Sequence, residues 1–368
     1  MRILLLGATG LIGAAAAARL RADGHEIIGS ARRIDSAARR VPVARWLRVD
    51  LRAMKRPEDW APRLDGIDAV VNCAGVLQDS VRDSTASVHA EAPAALWRAC
   101  EAAGVRRVVQ VSAIGADRDG VTAFSRSKAV GDSALEASAL DWVILRPSVV
   151  VGDPAYGGSA LFRALAALPV LPKVPDSGPL DIVQLADVVE TIALMVRPGA
   201  PVRTVLELAG PGRLTFAEII AAYRRWLGWK PARELRVPAW LMATAWRAGD
   251  LVAWLGWRPP VRTTARRELV RGAIGDHQAW RRATGIAPQS LGEALAERPA
   301  SVQERWFARL YLLKPVLFTV FALFWLATGI ISLTVGYEIG VDLMLQAGAG
   351  ALAGPSRRRT CTQGHGHP

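Results

Sequence analysis

Residues 1–13, MRILLLGATGLIG, open the chain with a short apolar run followed by three glycines at GxxGxxG spacing. The run from Ile3 to Leu6 contains no polar residue, which is typical of a strand buried on both faces of a parallel sheet. The alanine-rich residues 14–18 that come next are good helix formers. We therefore predict a strand, a glycine turn and a helix in immediate succession.

This context gives Gly7, Gly10 and Gly13 separate roles. One glycine permits the tight turn, one lets the backbone approach a pyrophosphate, and one lets the helix pack closely on the sheet. The first helical turn offers N–H groups and the positive end of the helix dipole to a phosphate. A glycine-rich turn without a ligand is the alternative, but the position between a strand and a helix favours a dinucleotide site.

Strand-like and helix-like segments alternate along the first 150 residues. Strands are predicted at 25–30, 46–49, 69–72, 107–111 and 142–145, and helices at 88–103 and 124–137. This alternation indicates right-handed βαβ units. The predicted fold class is α/β: a doubly wound parallel Rossmann-type sheet over residues 1–150, with a smaller C-terminal lobe and a C-terminal transmembrane helix.

Residues 151–300 are interrupted by prolines and are interpreted as a substrate or partner lobe. We expect two or three further elements to return to the main sheet, from a strand at 180–183, a helix at 186–196 and a strand at 204–208. Thr215 and Glu218 form a capping box that predicts an amphipathic helix over 215–227. Five tryptophans are interpreted as packing and interfacial anchors rather than as a site: Trp240, Trp246, Trp254, Trp257 and Trp280.

Residues 315–335, PVLFTVFALFWLATGIISLTV, form an uncharged apolar stretch between Lys314 and Glu338. About 20 such residues span a bilayer, although a buried helix of a soluble domain is an alternative. Basic residues precede the stretch, and the positive-inside rule then places the N-terminal domain in the cytoplasm: Arg298, Arg305, Arg309 and Lys314. We expect an inner-membrane anchor over 301–337, followed over 338–368 by a short interfacial segment and a disordered tail.

The composition excludes several classes of protein. The chain has 368 residues and is 51% hydrophobic, and its net charge of +13 comes from scattered arginines without a zinc-finger or RNA-binding pattern, so we predict no nucleic-acid partner. Its three cysteines form no CxxC pair, which fits a reducing compartment. His365 and His367 could contact a metal, but a solvated tail is expected, and no metal site is predicted.

Arg32 and Arg33 follow the second predicted strand, 19 and 20 residues after Gly13. An NAD-selective protein places an acid there to bind the ribose 2′-hydroxyl. A guanidinium suits a 2′-phosphate instead, so we favour NADP(H). Asp35 keeps NAD possible, and the arginines coating a helix start are a further alternative.

Several segments together resemble the short-chain dehydrogenase/reductase superfamily: GATGLIG at 7–13, Asp50-Leu51, NCAG at 72–75, VSAIGA at 111–116, Lys128 in FSRSK, and LRPSVVVGD at 145–153. They are most similar to its atypical members, near the nucleotide-binding accessory subunit of respiratory complex I and the NmrA-like proteins. The resemblance covers roughly residues 1–210. The stretch KPVLFTVFALFWLATG resembles the first helix of a DoxX-like module, which usually has four spans, so that match is partial.

The resemblance implies a role for each matching residue. The pyrophosphate would be held by Gly7, Thr9, Gly10, Leu11, Ile12 and Gly13. The adenine would lie beside Asp50 and Leu51. The ribose and nicotinamide side would be lined by Ala74, Gly75 and Val76. Lys128 would bond the nicotinamide ribose, and the nicotinamide would be flanked by Pro147, Ser148 and Val149.

The resemblance also implies a Ser-Tyr-Lys catalytic set, and here the chain departs from it. Ser112 and Lys128 match, but Phe124 occupies the tyrosine position, and no tyrosine lies between residues 1 and 155. Loss of a positioned acid/base typically costs about 10²–10⁴-fold in rate. Other candidate acids are Asp79, Asp83, His89, Asp117 and Asp153. Ser112 bonded to backbone, His89 in packing or capping, and a solvated Lys128 are the alternatives.

Two functions follow. The first is a membrane-anchored NADP(H)-binding protein with little or no turnover, acting as a redox sensor, scaffold or assembly factor with a membrane protein partner. The second is an NAD(P)H-dependent oxidoreductase, epimerase or dehydratase acting on a lipophilic substrate such as a quinone. The intact cofactor pattern without its phenol favours the first, and the apolar stretch with the tryptophan-rich lobe favours the second.

Overall fold

The computed structural model describes residues 1–80, 83–116, 120, 122–173, 177–254 and 261–347. Residues Met1–Arg309 form one compact unit, and a second unit begins at Leu310. Asp117, Trp257 and the tail with His365 and His367 lie outside the described residues, and so does the side chain of Trp254.

Strands and helices are numbered in chain order. The strands are β1 (Arg2–Leu6), β2 (Glu26–Ala31), β3 (Arg45–Arg48), β4 (Ala69–Asn72), β5 (Arg107–Val111), β6 (Asp141–Pro147), β7 (Val149–Val151), β8 (Val170–Lys173), β9 (Leu180–Gln184), β10 (Thr204–Leu208), β11 (Arg213–Leu214) and β12 (Arg233–Arg236). The helices are α1 (Leu11–Ala22), α2 (Ile34–Ala38), α3 (Pro57–Trp60), α4 (Ala92–Ala103), α5 (Ala123–Glu136), α6 (Gly157–Ala166), α7 (Leu185–Val196), α8 (Phe216–Trp226), α9 (Ala239–Trp254), α10 (Thr263–Arg271), α11 (Gln278–Thr284), α12 (Leu291–Glu297), α13 (Val302–Leu333) and α14 (Tyr337–Gln346). A 3₁₀ turn spans Ala61–Arg63, and a π-helical turn, Ser87–Glu91, precedes α4.

The main sheet has seven parallel strands in the order β3-β2-β1-β4-β5-β6-β10. The strand order reverses between β1 and β4, because the chain first adds β2 and β3 on one side and then returns to the other. In doubly wound folds, ligands bind at the carboxyl ends of the strands beside this reversal. The α/β class and the Rossmann-type sheet predicted from the sequence are confirmed.

The strand β1 is buried on both faces, as its uninterrupted apolar run predicts. Ile3 and Leu5 pack into one core layer, which also contains residues of α1 and α7. Leu4 and Leu6 pack into the opposite layer, which contains residues of α4. The first strand is therefore fixed from both sides, and the glycine turn that follows it has a rigid support.

Two of the three segments that were candidates to return to the main sheet do so. Helix α7 packs against the sheet and β10 joins its edge beside β6, as expected. Strand β9, however, does not return to the main sheet: it pairs with β7 in parallel and with β11 in antiparallel orientation. A separate two-stranded sheet joins β8 and β12. The lobe thus has its own small sheets and its own core around Phe162, Ile219 and Tyr223.

Two of the tryptophans serve in packing. Trp280 is fully buried, and its indole N–H donates to Thr191 Oγ1 at 2.8 Å. Trp246 is also buried, whereas Trp240 is exposed. The predicted capping box is present, since Thr215 and Glu218 exchange hydrogen bonds at the start of α8.

The helix α13 has the length and composition to cross a membrane. Length and composition alone are weak evidence, because a core helix of a soluble protein can share them. Pro315 lies inside the helix, and its carbonyl accepts a hydrogen bond from Thr319 Oγ1 at 2.9 Å. The segment after it contains the short helix α14.

Candidate functional site

The glycine turn after β1 brings the backbone close to the loop after β4. Gly7 has φ of +69°, and a side chain there would place its Cβ 2.6 Å from the Cys73 carbonyl. At Gly13 a Cβ would lie 2.2 Å from Gly7 O. Only glycine fits both positions. The turn closes with the Gly10 N–H donating to Gly7 O at 2.9 Å.

The amino end of α1 faces this turn without a capping side chain. Gly10 is the N-cap residue and makes no side-chain capping bond, and Leu11, Ile12 and Gly13 form the first helical turn. The first N–H groups of a helix have no partner within the helix. The structure therefore provides a bare helix terminus beside a backbone cradle, which fits the pyrophosphate of a dinucleotide.

A cleft continues from this cradle across the carboxyl ends of β1, β2 and β4. Predicted residues that line it are Gly7, Thr9, Gly10, Arg32, Asp50, Leu51, Ala74, Gly75 and Val76. Asp83, predicted as a candidate acid, also lines the cleft. Other lining residues were not predicted from the sequence: Ser30, Ala31, Val49, Arg52, Cys73, Val88 and Tyr156. Arg33 does not line the cleft. It is the N-cap of α2 and is exposed.

Charged pairs surround the adenosine end of the cleft. Arg32 Nη1 lies 2.9 Å from Asp83 Oδ1, and the Asp83 side chain is only 5% exposed. Arg52 Nη2 lies 2.8 Å from Asp50 Oδ2. The hydrogen bond from Arg52 lowers the pKa of Asp50. Two guanidinium groups and two carboxylates thus meet where a cofactor ribose would lie.

The loop from Ala74 to Val76 is held by polar side chains beneath it. Ala74 N–H donates to Asn72 Oδ1 at 3.0 Å, and Asn72 Nδ2 donates to Gln110 Oε1 at 2.8 Å. Val76 N–H donates to His89 Nε2 at 3.0 Å. No sequence pattern indicates this support, because it depends on contacts between β4, β5 and the π-helical turn.

His89 is a positioning residue in this arrangement. Its Nε2 accepts from Val76, so the ring proton lies on Nδ1 and is donated to Ser127 Oγ at 2.8 Å, and Ser127 Oγ in turn donates to Phe124 O at 3.0 Å. Burial lowers the pKa of His89 to about 2. The ring therefore stays neutral in one tautomer.

Phe124 occupies the position of the expected phenol. Its ring meets the His89 ring edge to face, with the centroids 5.5 Å apart. One helical turn later on α5, Lys128 is buried, and its Nζ donates to Val111 O at 2.8 Å. Lys128 Nζ also lies 3.7 Å from the point where a Cβ would stand on Gly75. Lys128 therefore reaches the inner end of the cleft, and burial lowers its pKa to about 8.

Ser112 is engaged by a buried acid. Its Oγ donates to Asp132 Oδ2 at 2.7 Å, and Arg146 Nη2 lies 3.0 Å from the same oxygen. Burial raises the pKa of Asp132. The serine hydroxyl thus has a strong acceptor within the core, and a catalytic role for Ser112 stays a prediction.

The segment after β6 lies against β5 and β10. Ile114 N–H donates to Pro147 O, and Ser148 N–H donates to Leu208 O. Among the described residues, the buried Ser148 hydroxyl has no hydrogen-bond partner. An orphaned hydroxyl at this position fits a bound group that would satisfy it. Its neighbours Pro147 and Val149 keep their predicted roles as expectations.

Other candidate acids have structural partners. Asp79 Oδ1 accepts from Thr85 N–H, Asp83 pairs with Arg32, and Asp153 pairs with Arg298. In the part of the chain that the structure describes, no group of three metal-ligating side chains lies together.

Comparison with known proteins identifies the kind of cofactor. A family model described as NAD(P)H-binding matches residues 7–165. An uncharacterised protein of Mycobacterium tuberculosis is 31% identical over 232 residues, which cover 61% of this chain and 23% of that protein. This chain therefore spans less than a quarter of the length of that relative.

Two further proteins are similar over most of this chain. Sterol demethylase protein B of Methylococcus capsulatus is 29% identical over 336 residues, covering 83% of this chain and 99% of that protein. A dTDP-glucose 4,6-dehydratase structure from Streptomyces venezuelae, with NAD bound, has a TM-score of 0.60 at 21% identity, covering 83% of this chain and 97% of that chain. The latter likeness is one of fold. Together the comparisons support a nicotinamide dinucleotide in the cleft of this Rossmann domain.

Proposed function

We propose that this chain is a membrane-anchored NADP(H)-binding protein in which cofactor occupancy, rather than carbonyl turnover, is the main property. The observation that carries the proposal is the cleft over the glycine turn, together with a position where Phe124 replaces the titratable phenol. Such a protein would report the NADP(H) pool to a membrane partner as a sensor or assembly factor.

Each end of the cofactor has a matching group in the cleft. The cradle of Gly7, Thr9 and Gly10 with the first turn of α1 would hold the pyrophosphate. Asp50 and Leu51 would contact the adenosine, and Lys128 would bond the nicotinamide ribose. When bound, the nicotinamide supplies or accepts a hydride.

Selectivity for NADP(H) is proposed to depend on Arg32. Arg32 lines the cleft and is about half exposed, so its guanidinium can reach a 2′-phosphate while it keeps its contact with Asp83. Arg52 also lines the cleft, where it is paired with Asp50, and it adds a second positive charge. A guanidinium binds phosphate oxygens with charge-assisted hydrogen bonds.

Slow turnover is proposed because the groups around Phe124 do not replace a phenol. His89 is neutral and donates its one ring proton to Ser127. Ser112 is held by Asp132. A phenyl ring has no proton to give, so residue 124 cannot protonate a carbonyl at this position.

The proposal is tested by titrating the full chain in detergent with NADPH and with NADH. We expect tighter binding of NADPH, and Arg32→Ala should weaken NADPH by about 10- to 100-fold while leaving NADH unchanged, because a charged hydrogen bond contributes roughly 1.5–3 kcal/mol. Arg33→Ala is the matched control and should change neither affinity. Equal binding of both cofactors by the unmodified chain would refute NADP selectivity, and no binding of either at about 100 µM would refute the proposal as a whole.

A second candidate function is an oxidoreductase for a lipophilic substrate. It is favoured by the likeness to sterol demethylase protein B along 83% of the chain and by the apolar helix α13. Hydride from NADPH and a proton from water would convert a carbonyl into an alcohol or a quinone into a quinol. NADPH oxidation with detergent-solubilised quinones and sterol ketones tests it, and cofactor binding without any oxidation would exclude it for those substrates.

A further inference from the structure

Helices α9 and α10, which we call the cover, contact the loops around the substrate end of the cleft. Asp250 Oδ1 on α9 accepts from Gln78 Nε2, in the loop after β4, at 3.3 Å. Arg271 Nη2 on α10 donates to Ile114 O, after β5, at 3.1 Å. Glu268 Oε1 accepts from the hydroxyl of Ser125, beside Phe124, at 2.8 Å.

These contacts place the cover where a substrate of this fold would bind. Ligands of doubly wound sheets lie outside the carboxyl ends of the strands, and Gln78, Ile114 and Ser125 belong to the segments that follow β4 and β5. Helix α9 also packs tightly against the residues that lead into α10, because a Cβ on Gly249 would lie 1.7 Å from Val261 O. The inner side of the cover thus makes polar contacts with these segments, and it also buries the indole of Trp246.

The outer side of the cover is apolar. Trp240 is 70% exposed and Leu251 is 63% exposed, and Leu241 and Val270 are also exposed. Trp240 and Leu251 are 11 residues apart, about three helical turns, so they lie on one face of α9, whereas Trp246 on the other face is buried. This group of exposed apolar side chains is larger than the scattered single apolar residues that soluble surfaces normally carry.

The exposed charges of the cover have one sign. Arg247, Arg266 and Arg267 are exposed. The acidic residues of the two helices, Asp250 and Glu268, make the inward contacts described above. Exposed Trp and Leu flanked by arginines are typical of helices that lie in the headgroup region of an anionic bilayer.

We propose that the outer face of the cover rests on an anionic phospholipid surface, so that a ligand reaches the nicotinamide end of the cleft from the lipid phase. The proposal rests on the membrane anchoring in the proposed function. It assigns the substrate or signalling ligand to amphipathic lipids, with an oxygen-bearing end for the polar inner side of the cover and an apolar body that stays in the bilayer.

The test uses the full chain reconstituted in vesicles that contain phosphatidylglycerol and doxyl-labelled lipid. A fluorophore is attached to Trp240→Cys or Leu251→Cys in a Cys361→Ser background, whose own labelling is subtracted. Val130→Cys is the matched control, because Val130 is an exposed apolar residue on α5. We expect quenching at positions 240 and 251 at least severalfold stronger than at 130, and weaker quenching when Arg266 and Arg267 are both changed to alanine.

Quenching at 240 and 251 no stronger than at 130 would overturn the proposal. The same labels could instead be shielded from water in detergent as well as in vesicles. That result would indicate that a protein partner or a second copy covers them, and it would also overturn the proposal. NADPH affinity is measured on the same samples. Loss of NADPH binding with quenching intact refutes the proposed function alone, and loss of quenching with NADPH binding intact refutes the cover proposal alone.

Discussion

Phe124 shows how much a single residue decides when its surroundings are otherwise complete. Lys128 lies one helical turn away and reaches Gly75, and the His89 ring contacts the phenyl edge to face. The phenylalanine at the tyrosine position is recognisable from the sequence, because FSRSK keeps the spacing to the lysine. The sequence could not predict Arg52, Val88 and Tyr156 in the cleft, because they come from three separate segments that only folding brings together.

Phe124→Tyr is expected to raise NADPH-dependent reduction of a small carbonyl by about 10²-fold or more, because it restores a proton donor four residues before Lys128. The rate is measured as NADPH oxidation under saturating cofactor. Phe124→Leu is the control and should bring no gain, since it changes packing without adding a hydroxyl. A tyrosine variant no faster than the leucine variant would show that the pocket lacks more than the phenol.

Lys128 gives a pH dependence of stability with a definite sign. Burial lowers its pKa from 10.5 to about 8, so between these values the unfolded chain binds more protons than the folded chain. The free energy of unfolding contributed by this group therefore rises with pH across that window, by roughly 3 kcal/mol in total. Urea unfolding of the unmodified chain and of Lys128→Met at neutral and alkaline pH measures it.

Comparing the unmodified chain with Lys128→Met separates the contribution of Lys128 to the pH dependence of stability from that of other titratable groups. Lys128→Met should gain most in relative stability at neutral pH, and its advantage should shrink as pH rises through the window. Parallel pH profiles for the two proteins would contradict the assignment of a depressed pKa to Lys128.

At the scale of elements, a strand or helix is easier to predict from the sequence when the contacts that define it are close in sequence. Strands β1, β4 and β5 pair with their neighbours along apolar runs that are visible in the sequence, and all lie within a residue or two of their predicted bounds. Strand β9 is equally apolar, but its partners β7 and β11 are short and lie on both sides of it in sequence. The hydrophobic pattern of a segment therefore predicts that it is a strand, but it does not predict which sheet the strand joins.

Gly13→Ala is expected to destabilise the protein by about 1–3 kcal/mol and to weaken NADPH binding, because the new Cβ would meet Gly7 O at 2.2 Å. Thermal unfolding and cofactor titration measure the two effects. Gly158→Ala in α6 is the control, since a Cβ there has no neighbour within 4 Å, and alanine favours a helix. A Gly13→Ala protein as stable as Gly158→Ala would contradict the close approach of α1 and the turn.

At the scale of the whole molecule, the chain contains a unit with a buried core, Met1–Arg309, and a long helix, α13, whose apolar residues from Val316 onward are not buried. The large apolar residues of α13 from Val316 onward are more than half exposed or nearly so. The sequence identified this segment by composition alone, because an uninterrupted apolar stretch needs no tertiary contact to be recognised.

The full chain is expected to remain in the membrane pellet after alkaline carbonate extraction. Changing Leu323 and Leu326 together to arginine should release it, because each arginine at the centre of a span costs about 2.5–3.5 kcal/mol. Leu310→Arg, beside Arg309 and before the apolar stretch that begins at Pro315, is the control and should stay in the pellet. Complete extraction of the unmodified chain would contradict the anchor, and NADPH binding should be equal in all three proteins.

In the π-helical turn Ser87–Glu91, the number of residues matters as much as their identity. Substitutions nearby keep His89 beneath the cofactor loop, since they leave the register of the helix unchanged. Deletion of a single codon, such as that of Ala90, would favour an ordinary α-helix and carry the residues on one side of it about 100° around the axis relative to the other. Val76 N–H would then lose its acceptor. A one-residue gap that looks minor in an alignment would thus remove the support that His89 gives to the loop from Ala74 to Val76.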